Sequence, residues 1–340
     1  MKIDAIDLFC GAGGLTHGLE LSGVNVIAGY DIDESCRYPY EINNNATFIN
    51  KNITLITAAE LNQHFNNSEI RLLAGCAPCQ PFSNYTQSLP KDDRWNLLYE
   101  FARLVAEVRP ELITMENVPE LENHKVFTDF VFSLKKIGYH IWYSVVFCPE
   151  YGLPQRRNRL VLMASLLGKI SLIPPTHIEK KVGLREAIGS LPKLTAGTSN
   201  KHDPLHRAAG LSETNLKRIL ASRPNGTWKD WPKELLAKCH KRNSGAKYTS
   251  VYGRMSWNEL SPTITTQFYN YGSGRYGHPT QARAISLREA AILQSFPAHY
   301  KFVPDNDKYS IGNVARMIGN AVPVCLGVAI GKSFSLHVTP

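Results

Sequence analysis

The chain has 340 residues, 43% hydrophobic and 20% charged, an ordinary globular composition that excludes a disordered, collagen-like or coiled-coil protein and suggests about two domains. Its net charge of +9 is unevenly spread: residues 1–140 hold 11 basic against 18 acidic side chains, and residues 156–288 hold 23 against 7. That asymmetry fits an acidic enzymatic part joined to a surface for a polyanion, and equally a solvated basic surface; charge does not separate DNA from RNA.

No run reaches the ~18 consecutive apolar residues of a membrane span. Asp4 and Asp7 interrupt any signal-peptide pattern at the start. Seven cysteines, an odd number in a chain of this size, point to reduced thiols and a cytoplasmic location.

In chain order, Ile3 to Phe9 reads as a buried strand, followed by a glycine-rich turn and a helix through about Leu21. Val24 to Tyr30 and Ile70 to Gly75 read as further strands. Leu97, Leu98, Phe101, Leu104, Val105 and Val108 share one helical face, and Pro110 stops that helix. Leu112 to Met115, Ile141 to Phe147 and Leu160 to Ala164 complete the strand set. Strands alternating with helices predict an α/β fold with a doubly wound, mostly parallel sheet. From about Ile173 periodicity fades into Pro, Gly, Trp and basic residues, as in a smaller irregular domain. Helical patterning returns at Ser286 to Leu293, and Val322 to Ile330 can pack back on the sheet.

Three segments carry chemistry. In Asp7-Leu8-Phe9-Cys10-Gly11-Ala12-Gly13-Gly14 the glycines let backbone approach a ligand and leave helix amides for an anionic group. Asp31, twenty residues after Gly11 at a strand end, can accept from both hydroxyls of a ribose, although the spacing is not GxGxxG. Phe9 suggests a ring that packs on the ligand. In GCAPCQPFS (75–83), Cys76-x-x-Cys79 is open to three readings. One is a redox pair; another is half of a zinc site, for which His202, His206, Cys239 and His240 lie in no recognised arrangement. In the third, Cys79 is a nucleophile between two prolines and Cys76 is buried in the strand. Glu116, at the end of the next strand, is a neighbour that can protonate or hydrogen-bond a substrate ring, or merely cap the next segment. Arg157 and Arg159, beside Arg156, share a strand face and can both point to the same edge; a solvated basic turn is the plain alternative.

Taken together, DLFCGAGG, Asp31, GCAPCQPFS, MENVPE (115–120), QRRNRL (155–160), SPTITT (261–266), SLREAAILQSFP (286–297) and IGNAVP (318–323) closely resemble the cytosine carbon-5 DNA methyltransferases, in order along the chain. The resemblance implies a Rossmann-like catalytic domain at 1–173, a target-recognition domain at 174–284, a hinge segment at 285–307 and a return to the catalytic domain at 308–340. It implies S-adenosylmethionine as cofactor, with Phe9 on the adenine and Asp31 on the ribose. Gly11, Gly13 and Gly14 line the methionine portion, and Ile32, Asn52, Ile53, Pro78, Leu97, Asn320 and Val322 complete the pocket. Cys79 becomes the nucleophile, Glu116 the acid at ring nitrogen 3, and Arg159 a donor to the cytosine carbonyl, supported by Arg157 and Asn117. Gln80, Ser83, Arg156, Thr265, Tyr269, Tyr271 and Arg275 are assigned to DNA, and no metal is required.

Asn52 stands where an acid is usual, Ile32 where an aromatic is common, and Ser295 replaces a glycine. The resemblance further implies double-stranded DNA as substrate, a restriction endonuclease as functional counterpart, a monomer and no membrane. Competing expectations are a tRNA cytosine-5 methyltransferase of the same family, a thiol-dependent oxidoreductase and an idle DNA-binding module. The intact Cys79 and Glu116 pair speaks against the last.

Overall fold

The protein is described from a computed structural model over residues 1–78, 96–242, 245, 248–304 and 308–339. It divides into two compact units. The first comprises Met1–Tyr151, Asn158–Thr176 and Ala321–Pro340; the second comprises Gly152–Arg157 and His177–Asn320.

The first unit is an α/β sheet with helices. Its elements are β1 (Ile3–Leu8), α1 (Gly14–Leu21), β2 (Asn25–Asp31), α2 (Arg37–Asn43), β3 (Thr47–Asn50), α3 (Ala58–His64), β4 (Ile70–Gly75), α4 (Leu97–Val108), β5 (Leu112–Asn117), α5 (Lys125–Ile137), β6 (His140–Phe147) and β7 (Asn158–Ser165). The strands lie in the order β3-β2-β1-β4-β5-β7-β6. Pairing is parallel from β3 to β5, and β7 runs antiparallel to both β5 and β6.

Strands β1 and β5 are buried along their whole length, as expected of central strands covered on both faces. Ile6, Leu8, Leu73, Ile113 and Met115 pack against α3, α4 and α5, where Phe101 meets Phe130 at a ring separation of 5.7 Å. Each such side chain contributes about 1.5–3 kcal/mol on burial. Helix α4 ends where Arg109 takes the left-handed conformation (φ 50°) before Pro110.

Residues of the opposite parity face α1, as the hydrogen bond from Thr16 to Asp7 shows. The last helix of the chain, Val324–Val338, lies against α1, and its close approach needs glycine on both sides. A Cβ on Gly18 would stand 2.7 Å from the Gly327 Cα.

The second unit holds α6 (Leu184–Ile188), α7 (Glu213–Ala221), α8 (Leu287–Leu293) and α9 (Ile311–Asn320); the helix Val324–Val338 of the first unit is α10. Elsewhere the unit is mostly turns, short 3-10 segments and isolated bridges. Helix α8 begins with a capping box between Ser286 and Glu289, and Glu289 accepts two bonds of 2.7 Å from the buried Arg283.

Residues 152–157 group with the irregular unit and the sheet unit resumes at Ala321, with α9 packed on α8. The stretch Ile311–Val338 is long and apolar enough to pass as a membrane span. It breaks between Asn320 and Val324 into α9 and α10, and most of it is buried inside the protein.

Candidate active site

Strands β1 and β4 are neighbours from which the connections leave in opposite directions, toward β2 and β3 on one side and β5 on the other. Open α/β sheets bind ligands at the carboxyl ends of the strands flanking such a switch point. The glycine turn follows β1, Cys76 follows β4, and Glu116 is the next-to-last residue of β5. Because β7 is antiparallel, its first residues, including Arg159, reach the same edge.

After β1 the backbone turns through three left-handed residues, Phe9 (φ 61°), Gly11 (φ 51°) and Gly13 (φ 86°). A side chain at Gly11 would enter open space, with nothing within 4 Å of a Cβ. Asp31 fixes the turn: its Oδ2 accepts from the Gly11 amide at 2.9 Å and its Oδ1 from the Asp33 amide at 2.9 Å. Helix α1 starts without a side-chain cap, so its amino end is built from backbone alone. Phe9 and Leu97 are half-buried and pack on the same core cluster.

Asn52 is half-buried and accepts from the Thr54 amide at 3.1 Å, and Ile53 behind it is buried. Ile32 is 69% exposed beside Asp31. Pro78 is half-buried, and Val322 is buried just ahead of α10. Asn320 ends α9 in the second unit and is exposed.

At the other side of the switch point Glu116 is 2% exposed. Its Oε1 lies 2.8 Å from Arg159 Nε, and its Oε2 accepts from the Cys76 thiol at 3.0 Å. Asn117 donates from Nδ2 to the Ala77 carbonyl at 2.9 Å, tying the segment after β4 to β5. Cys79, Gln80 and Ser83 lie outside the described residues.

Cys76 corrects one sequence expectation: it is not buried within the strand but lies just past β4, half-exposed, with its thiol on the carboxylate. Gly75 pairs with Met115, so the next residue of each strand falls beside the other. Aligning the apolar runs Leu72–Gly75 and Leu112–Met115 reveals the contact.

A second correction concerns Arg157. It precedes β7, belongs to the second unit and is 3% exposed. Its guanidinium donates to the carbonyls of Ile264 (3.0 Å) and Gly319 (3.3 Å). Gln155 works with it, accepting from the Ile264 amide and donating to Leu293 O and Gln294 Oε1. Part of the QRRNRL motif thus organises backbone. Thr265 stays exposed, with its hydroxyl 3.1 Å from Tyr276 OH, and Gly319 approaches it so closely that a Cβ there would be 2.5 Å from the Thr265 carbonyl carbon.

Tyr271 is corrected as well: at 1% exposure it packs with Ile219 and Ala284, and its hydroxyl is 2.8 Å from Ser222 Oγ, so it is core rather than a DNA contact. Arg275 is half-buried and donates to Gly226 O at 2.7 Å, Tyr269 is half-buried, and exposed Arg156 pairs with Glu259. Among the described residues no group of three or more His, Cys, Asp or Glu is placed to hold a metal ion.

A fold of this kind with a glycine turn, an acid at the end of β2 and a carboxylate–guanidinium pair on the same edge defines a class. The chain belongs to the family of C-5 cytosine-specific DNA methylases, whose family model matches residues 3–335, and it is a DNA cytosine-5 methyltransferase. It is 53% identical over 332 residues to the Type II methylase M.HgiDII of Herpetosiphon aurantiacus, covering 96% of this chain and 94% of that protein. It is 30% identical over 345 residues to the Type II methyltransferase M.PspPI of a Psychrobacter species, covering 96% and 78%. In structure it is similar to a candidate DNA modification methyltransferase from an E. coli prophage, with a TM-score of 0.77 at 21% identity over 99% of both chains. The sheet is the Rossmann-like fold of S-adenosylmethionine-dependent methyltransferases.

Proposed function

We propose that the chain methylates a cytosine flipped out of duplex DNA at a specific sequence, through a transient bond from the Cys79 sulfur, as the modification half of a bacterial restriction-modification system. The observation that carries this reading is the buried Glu116 carboxylate, held by Arg159 and Cys76 at the strand edge beside the glycine turn. The Type II methylase relatives supply the restriction-modification setting.

The residues present fit S-adenosylmethionine. A Cβ at Gly11 would project into open space, and the Asp31 carboxylate beside it, joined to the Gly11 amide, is an acceptor of the kind ribose hydroxyls bind. Phe9, Ile32, Asn52, Ile53, Pro78, Leu97 and Val322 would border the adenosine side, and Gly13 and Gly14 the methionine side. When bound, the cofactor supplies an electrophilic methyl group.

A free thiol near pKa 8.5 is only a few per cent thiolate at neutral pH, so Cys79 needs activation by its surroundings. Its sulfur adds to carbon-6 of the ring while Glu116 supplies a proton at nitrogen 3, leaving carbon-5 electron-rich. Arg159 holds Glu116 and donates to the ring carbonyl as charge develops there. After methylation, loss of the carbon-5 proton expels the thiol. Asn117 keeps the segment before Cys79 on β5.

A base within the stack cannot reach this edge, and extruding it costs a few kcal/mol. Phosphate contacts from the basic second unit, a target-recognition domain on this reading, offset that cost; Thr265, Tyr269, Arg156 and Arg275, with Gln80 and Ser83, would meet the DNA. Bisulfite sequencing of duplex DNA treated with purified protein and cofactor tests the proposal. The expected result is 5-methylcytosine confined to one sequence; unmodified DNA alongside methylated tRNA would overturn it.

A further inference from the structure

Of the two Glu116 oxygens, Oε2 accepts a hydrogen bond from the Cys76 thiol, while Oε1 has an ion-pair contact with Arg159 but no hydrogen bond among the described residues. We infer that Cys76 is a positioning residue for methyl transfer: its thiol fixes the second oxygen of Glu116, so that the carboxyl group meets the ring in one orientation. The inference rests on the proposed role of Glu116 as the group that engages the cytosine.

A carboxyl group at the end of a Glu side chain turns about a soft, roughly two-fold torsion. Arg159 Nε at 2.8 Å from Oε1 leaves that rotation open, because contact with one oxygen acts as a pivot. A donor on Oε2 closes it. Cys76 Sγ stands 3.0 Å from Oε2, and its own backbone is set by the sheet, since the Cys76 amide donates to the Leu8 carbonyl at 3.3 Å. Asn117 holds the following residue, Ala77, from the opposite strand. The thiol is therefore carried on a backbone fixed from β1 and β5, and Cys76 is half-exposed at the edge where the ring would enter.

A thiol suits this place. It is a weak donor, so it holds the carboxyl group without competing strongly with an incoming ring. Serine offers a donor of similar reach; alanine and glycine offer none. Glu116 acts as charge develops on the ring, so loss of its orientation lowers kcat and kcat/KM together and leaves substrate binding intact.

The test is steady-state methyl transfer from radiolabelled S-adenosylmethionine to long unmethylated duplex DNA by the full chain, with KM measured for both substrates. Cys76→Ala is expected to lower kcat about tenfold, as for loss of one hydrogen bond to a charged group, with each KM within about twofold. Cys76→Ser is expected to recover kcat to within about threefold of the parent. Thermal melting verifies folding, and Cys76→Gly replaces the alanine variant if the latter does not fold. Wild-type kcat in the donor-free variant, a change confined to KM, or a serine variant as impaired as alanine would each overturn the positioning role. Glu116→Gln in the same assay separates the two ideas. Its loss of turnover beside an unaffected Cys76→Ala rejects the clamp alone, whereas full activity of Glu116→Gln rejects the role given to Glu116 itself.

Discussion

Arg159 and Glu116 stand diagonally on one face of two antiparallel strands, with Nε 2.8 Å from Oε1. The register pairs Glu116 with Val161, so Arg159, two residues earlier on β7, lies on the same face. Breaking a buried pair by removing one partner costs about 3–5 kcal/mol, because the other charge stays buried alone. Arg159→Ala is therefore expected to lower the melting temperature and to reduce kcat by about a hundredfold or more, as for loss of a preorganised donor at the reacting group. Arg159→Lys keeps charge but not the planar fork, and should fall between alanine and the parent. Calorimetry and steady-state kinetics on the three proteins check this.

Cys79→Ala is expected to abolish methyl transfer while leaving cofactor and DNA binding measurable. Duplex DNA containing 5-fluorocytosine at the target should trap the parent protein as a covalent adduct that survives denaturing electrophoresis, because fluorine blocks the proton-loss step. The Cys79→Ala protein should form none. Absence of an adduct with the parent protein would contradict the thiol mechanism.

The central sheet was legible because its strands are apolar runs at ordinary spacing, and β1, β4, β5 and β7 all fall on or close to the segments expected of them. Strand β3 was not, since Thr47–Asn50 is only four residues long and carries little apolar pattern. The positions of Glu116 and Asp31 followed from their places at strand ends. The Cys76 contact depends on register between β4 and β5, and the commitment of Arg157 to the carbonyls of Ile264 and Gly319 depends on partners 107 and 162 residues away. The burial of Tyr271 was likewise hidden, because glycines around an aromatic residue look the same in an open loop as in a tightly packed one.

Asp31 anchors the Gly11 amide and, on the proposed function, also binds the cofactor ribose. Asp31→Ala should weaken cofactor binding by about tenfold to a hundredfold, the range expected when a charge-assisted hydrogen-bond acceptor is removed. Isothermal titration with S-adenosylhomocysteine measures the effect. Asp31→Asn retains one oxygen acceptor and should lose less. Equal affinity in the parent and the alanine variant would remove Asp31 from the cofactor site.

Asp7 lies under the same turn. It is buried, receives the Thr16 hydroxyl at 2.7 Å and leaves its Oδ1 without a partner among the described residues. Burial, with a further push from the charge of Asp31, raises its pKa from 3.8 to about 7, against the lowering effect of the Thr16 bond. The folded chain therefore keeps a proton on Asp7 between about pH 4 and pH 7 that the unfolded chain has already released. Stability falls as pH rises through that window, by on the order of 4 kcal/mol from this group, and levels off above it. Asp7→Asn keeps an acceptor for Thr16 and carries no charge. The variant should melt higher than the parent at pH 8, with the difference shrinking as pH falls toward 5, and calorimetric scans across that range measure it. An advantage independent of pH would place its cause elsewhere than in the buried charge.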